Sequence, residues 1–243
     1  MTTLARIAIA LLVSIFLSSC GFDINFGDFG TGIKGNGNVI TDTREITDDF
    51  TEVLASEGLQ VFVTQADAFE ISVEADENVI DLIGTDIRNG QLKVHTIENI
   101  GRATKKIYIS MPDITALQSS SGAHLTSEGT IKENSLEIDA SSGSLMSIAI
   151  NVNDLDLEAG SGANLEISGN ADNSRIDAGS GANINAKKLM AKSCTAEASS
   201  GANIRINVSE QLTADANSGG NIAYEGEAKV TTKKSVSGSV HKY

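Results

Sequence analysis

Five carboxylates recur at one position of a repeated phrase. Asp139, Glu158, Asp177, Glu197 and Asp215 each stand four residues before a glycine. Stacked in a column, they predict a solvated acidic face that keeps the molecule soluble, since adjacent unit charges about 4.8 Å apart repel by only roughly 0.9 kcal/mol in water. A second reading is a weak stripe for divalent cations. A single tight calcium site does not fit, because no dense acidic loop of the known calcium motifs occurs.

Two residues after each glycine stand His124, Leu145, Asn164, Asn183, Asn203 and Asn221, which predicts an asparagine ladder bonding between stacked strands. A glycan-binding role for the same amides is the alternative, although no Trp or Tyr platform accompanies them. His95, His124 and His241 are far apart and lack metal-ligand spacing. Gly160-Ser161-Gly162 lacks the spacing of a nucleophile elbow, and its serine is one of seven equivalents. Gly35-Asn36-Gly37 completes no dinucleotide fingerprint. Cys194 falls in an apolar column and reads as a buried, inert thiol.

Near the start, Arg6 precedes an apolar run from Ile7 to Leu17 that ends in Leu17-Ser18-Ser19-Cys20. The run is shorter than the roughly 20 residues a membrane span needs and fits the core of an export signal. Its end resembles a lipoprotein lipobox, so residues 1–19 are expected to be removed and Cys20 to carry lipid. Loss of those residues removes one base and no acid, taking the formal net charge from −14 to −15. Such a surface repels nucleic acid. With Cys20 lipidated, Cys194 has no disulfide partner; a Cys20–Cys194 bridge is the competing arrangement.

The elements that hold these residues are set by the phrase itself: Ser-Gly followed by a small residue, with its glycine at Gly122, Gly143, Gly162, Gly181, Gly201, Gly219 and Gly238. Steps of 18 to 21 residues between those glycines predict a solenoid of seven stacked coils, each about 19 residues long. Positions three, five and seven before the glycine and three after it are small or apolar, whereas even offsets are mostly polar. Alternation with period two is strand behaviour, with odd positions facing inward. On that count the serine before each glycine also points inward, and the phrase forms a corner. Stacked Asp and Asn columns then follow from one coil lying on the next.

Upstream, Leu59–Val63, Phe69–Val73, Leu92–Val94 and Lys106–Ile109 read as strands. Asn89-Gly90 marks a tight turn. Residues 78–87 suggest one helical turn, and Gly58, 64 residues before Gly122, suggests a degenerate first copy of the corner. Residues 20–34, rich in glycine and carrying Phe22, Phe26 and Phe29, read as a tether to the domain at 35–243. Lys229, Lys233, Lys234, His241 and Lys242 crowd the last coil and read as a cap that discourages edge pairing, with a partner-docking site as the alternative.

The ordered Ser-Gly-Ala-Asn series, Met111-Pro112 ahead of it, Leu92-Lys93-Val94 after Asn89-Gly90, and the ending Gly220-Asn221-Ile222-Ala223-Tyr224-Glu225-Gly226 resemble the putative auto-transporter adhesin, head-GIN domain family. The likeness spans roughly residues 50–240. It implies an all-β, right-handed β-helix-like solenoid in a bacterial envelope protein, often a lipoprotein, with no catalytic residue or cofactor to carry over. Ser144, Gly220 and Ser239 replace the usual alanine after the glycine and are expected to loosen three corners. The expected role is structural or adhesive, without catalysis. Its partners would be a membrane, through lipid on Cys20, and a protein or glycan, but no nucleic acid. Gly21 after the cysteine resembles sorting to the outer membrane. A polysaccharide-active enzyme and a calcium-stabilised binding module are the alternatives.

Overall fold

The structure is a computed structural model and describes residues 32–233 and 237–243; the expected signal, Cys20, most of the tether and Lys234 lie outside the described residues. Eight short strands come first: β1 (Val39–Thr43), β2 (Glu52–Ala55), β3 (Gln60–Gln65), β4 (Glu70–Asp76), β5 (Ile83–Arg88), β6 (Gln91–Thr96), β7 (Lys105–Met111) and β8 (Ala116–Ser119). Five long ones follow: β9 (His124–Ala140), β10 (Leu145–Ala159), β11 (Asn164–Ala178), β12 (Asn183–Ala198) and β13 (Asn203–Ala216). The chain ends in β14 (Asn221–Glu225), β15 (Lys229–Thr232) and β16 (Ser239–Lys242). All the strands expected from the sequence form. The helical turn shrinks to a 3-10 turn at Ile80–Leu82, preceded by a turn at Asn78 and Val79, and from Ile83 the segment is β5.

Each long strand is one coil of the solenoid and pairs in parallel with the coils before and after it. Its first arm continues onto β3 at one end of the stack and β14 at the other. Its second arm continues onto β8 and β15. Between β10 and β11 every pairing is offset by one repeat, from Leu145 with Asn164 to Ala159 with Ala178. Where coils differ in length, register slips only in mid-coil, between Ser147 and Ala149, Glu166 and Ser168, and Ala186 and Ser193. The corner and the second arm therefore stay aligned throughout.

Inward columns carry the core. Leu136, Leu155 and Leu212, then Ile138, Leu157 and Ile176, then Ala140, Ala159, Ala178, Ala198 and Ala216 are all buried. Alanine in the last column brings the coil walls close where the chain turns. Removing such aliphatic surface from water is the main favourable contribution, about 25 cal/mol per Å².

The serine column is the exception, and the structure overturns its expected inward placement: Ser121, Ser142, Ser161, Ser180, Ser200 and Ser218 are exposed. Each has φ between 47° and 52°, and the glycine after it has φ between 71° and 78°. Two central residues with positive φ make a type I′ turn, closed by bonds such as Ala163 N–H to the Gly160 carbonyl (3.0 Å). The turn spends two residues outside the coil, so alternation resumes inward one residue later, at Ala123, Ala163, Ala182 and Ala202.

The corners pile directly on one another. Glycine amides donate to the serine carbonyl of the next coil from Gly122 to Ser142 (3.1 Å) through Gly219 to Ser237 (2.8 Å). Gly58 donates to Ser121 (3.1 Å), and Glu57 and Gly58 both have positive φ, so this pair is the first corner of the column. Gly238 alone among the phrase glycines lacks positive φ. Of the three residues expected to loosen their corners, Ser144 and Gly220 do not, whereas Ser239 follows the one glycine that departs from the common turn. Ser144 is fully buried, with its hydroxyl donating to the Ser119 carbonyl (2.9 Å), and at Gly220 an added Cβ would lie 2.1 Å from the Ala198 carbonyl oxygen.

The first end of the stack is built differently. β7 lies parallel to β3, but β4 runs antiparallel to β7 and β1 antiparallel to β4. On the other arm, β6 pairs in parallel with β2 and closes an antiparallel hairpin with β5 through Asn89-Gly90. Pairing already begins at Ile33, inside the segment read as tether, through a bridge to Ile100.

Candidate functional site

The outward face of the second arm brings the expected acidic column together. Glu158 pairs with Asp139 and Asp177, and Glu197 with Asp177 and Asp215, so the five carboxylates form one ladder. Gln118 continues it beyond Asp139. At the other end the Lys233 ammonium lies 3.4 Å from Asp215 and 3.7 Å from Glu197. Exposed pairs of this kind contribute little to stability, but Lys233 places a positive charge beside Asp215, the fifth carboxylate of the ladder. Lys242 bonds Glu227 (3.0 Å), and the Lys187 ammonium sits 4.2 Å from the Tyr243 ring centre. Among the described residues, no three His, Cys, Asp or Glu side chains converge as a metal ion would require.

Within this ladder, burial pushes the Asp139 carboxyl above the usual aspartate value. The folded protein then holds that proton more tightly than the unfolded chain does. Stability from protonated Asp139 is present at low pH and is lost as pH rises from the ordinary aspartate value, about 3.9, through the folded one. Asp139→Asn should therefore match the parent in urea midpoint below about pH 4 and exceed it near neutrality. Urea titrations at several pH values measure this, and identical midpoints at every pH would contradict it.

The column two after the glycine is also in register, but its amides do not bond rung to rung as expected. Asn164 and Asn203 turn back to the carbonyls of Gly162 (3.2 Å) and Gly201 (3.4 Å), so they brace the corner of their own coil. Amide links between coils occur elsewhere, from Asn153 to Asn134 (2.8 Å) and from Asn173 to Asp154 (3.0 Å). The histidines stay apart. His95 pairs with Asp86 across the β5–β6 hairpin (2.7 Å), and that bond is the leading cause holding the Asp86 carboxyl below its usual value. Cys194 is buried and free, and burial pushes its thiol up to about 11. It is therefore a packing residue, as its column suggested.

Reading columns singly misses a groove beside the acidic ladder. It holds about 420 Å³ and crosses all five long strands, from Ser135 on β9 to Gln211 on β13. One wall is the column eight before the glycine, with Asp154, Asn173 and Ser193. The other is the column six before, with Asp156, Arg175 and Thr195. Leu155, Ser174 and Cys194 form the floor, where the Ser174 hydroxyl donates to the Ser193 carbonyl (3.3 Å). The signal was in the sequence as two adjacent polar columns flanking an apolar one, but only coil stacking makes them walls.

The sequence pattern of the family described as "putative auto-transporter adhesin, head GIN domain" matches residues 49–228, most of this solenoid. The chain belongs to that family. Among solved structures, the head-GIN solenoid resembles one from Bacteroides fragilis named a putative adhesin, with TM-score 0.78 and 18% identity over 87% of this chain and 100% of that one. It also resembles a Parabacteroides merdae protein named a putative adhesin, with TM-score 0.72 and 21% identity over 87% and 99%. A third is a Parabacteroides distasonis protein named a putative lipid binding protein, with TM-score 0.71 and 22% identity over 87% and 99%. Among curated proteins none matches. No helix among the described residues is long and apolar enough to cross a membrane.

Proposed function

We propose that this head-GIN protein is a lipid-anchored, non-enzymatic binding module of the bacterial cell envelope, with an adhesive or structural role. The observation that carries the reading is family membership across residues 49–228, in a solenoid whose stacked columns present long, regular side-chain rows to solvent. The names of two structural neighbours, each a "putative adhesin", point the same way. The anchor rests on Leu17-Ser18-Ser19-Cys20 at the end of an apolar run. Several acyl chains on one residue hold a protein at a membrane where a single chain does not. Gly21 after the cysteine favours the outer membrane by its resemblance to sorting signals.

Metabolic labelling with palmitate tests the anchor: the parent incorporates label and Cys20→Ser does not. Equal labelling of both, or of neither, overturns it. Protease shaving of intact cells tests adhesion, which requires the solenoid to be cleaved from outside.

A further inference from the structure

We propose that the groove on the second arm binds a linear, uncharged polysaccharide lying parallel to the solenoid axis. The inference rests on the binding-module reading and names the ligand class for it. Three features of the groove select that class.

The first is repeat length. The two walls offer one polar side chain per coil, about 4.8 Å apart, over five coils and roughly 20 Å. A sugar ring in an extended chain advances by about one such step, so successive rings meet equivalent partners. The second is chemistry. Asp154 and Asp156 accept hydrogen bonds, Arg175 donates, and Asn173, Ser193 and Thr195 do both. Neighbouring acceptors and donors suit vicinal hydroxyls, which also both donate and accept. The Asn173–Asp154 bond, at 3.0 Å, already orders adjacent rungs of one wall.

The third is charge and backbone. The Asp139–Asp215 ladder runs beside the groove and repels polyanions such as nucleic acids or uronates. Arg175 at mid-groove offsets one of the two wall carboxylates, Asp154 and Asp156, so the walls themselves carry little net charge. Strand addition is closed as well, because the coils forming the groove are paired on both sides. Individually weak contacts repeated along a chain add through multivalency, so affinity should grow with ligand length until the groove is filled.

The test is affinity electrophoresis of the full-length protein in non-ionic detergent, through gels containing xylan, mannan or a soluble β-glucan. Polygalacturonate and poly-lysine serve as charged comparisons. At least one neutral polymer should retard the protein, and Ser193→Leu, an outward substitution that fills the groove without a ring on which sugars could stack, should weaken retardation at least tenfold. Oligosaccharides of the retarding polymer should compete better with each added unit, up to about five units. Retardation by no neutral polymer, retardation unchanged or stronger in Ser193→Leu, or preference for polygalacturonate would overturn the assignment. Retardation by poly-lysine alone would overturn it in favour of a basic partner. Palmitate labelling is independent of all these outcomes, so the anchor and the groove can fail separately.

Discussion

Gly169→Val is expected to destabilise the solenoid by about 3–5 kcal/mol, combining backbone strain with overpacking. Gly169 has φ +112°, and a Cβ there would lie 1.9 Å from the carbonyl oxygen of Ile150, its partner in the previous coil. The obstacle is backbone, so relief requires the coil itself to move. Gly162 is the instructive comparison. Its φ is +73°, but a Cβ would meet nothing within 4 Å. Gly162→Ala should therefore cost only the left-handed conformation, about 1–2 kcal/mol. Urea denaturation followed by circular dichroism compares the two, and equal losses would mean that the coils at Gly169 are not in close approach.

Ile176→Asp should be at least as damaging, costing about 4 kcal/mol or more near neutral pH, because it buries a carboxylate without a partner. Ile176 is fully buried and stacks between Leu157 and Ala196. The new carboxyl would hold its proton more tightly when folded, so stability should recover partly as pH falls. Arg175→Asp, one residue away and exposed, should change stability by only about 0.5 kcal/mol. A small effect at Ile176, or a large one at Arg175, would contradict the assignment of inward and outward columns.

That assignment was readable from the sequence wherever strand alternation ran unbroken. Ile138, Leu157 and Ile176 announced themselves as core, and Asp139, Glu158 and Asp177 as surface. Alternation misled at the corner, because two residues with positive φ step outside the coil and the count restarts at the next residue. Ser-Gly is itself a turn signal, and weighting it above parity would have turned Ser161 outward. β5 was hidden for another reason: Ile83-Gly84-Thr85-Asp86-Ile87-Arg88 lacks clean alternation and is held as a strand by pairing with β6. The groove was least legible of all. Asp154 and Asp156 look like ordinary surface residues until their neighbours from other coils stand beside them.

The two ends of the stack are not alike, and this gives the molecule a direction of wear. At the beginning, antiparallel β4, β1 and β5 lock the early coils in place, and Ile33 is tied to Ile100. At the finish, β15 and β16 contribute four exposed or half-exposed residues each. Local opening is therefore expected to be easier among β14, β15 and β16 than among the early coils, and to spread from one coil to its neighbour.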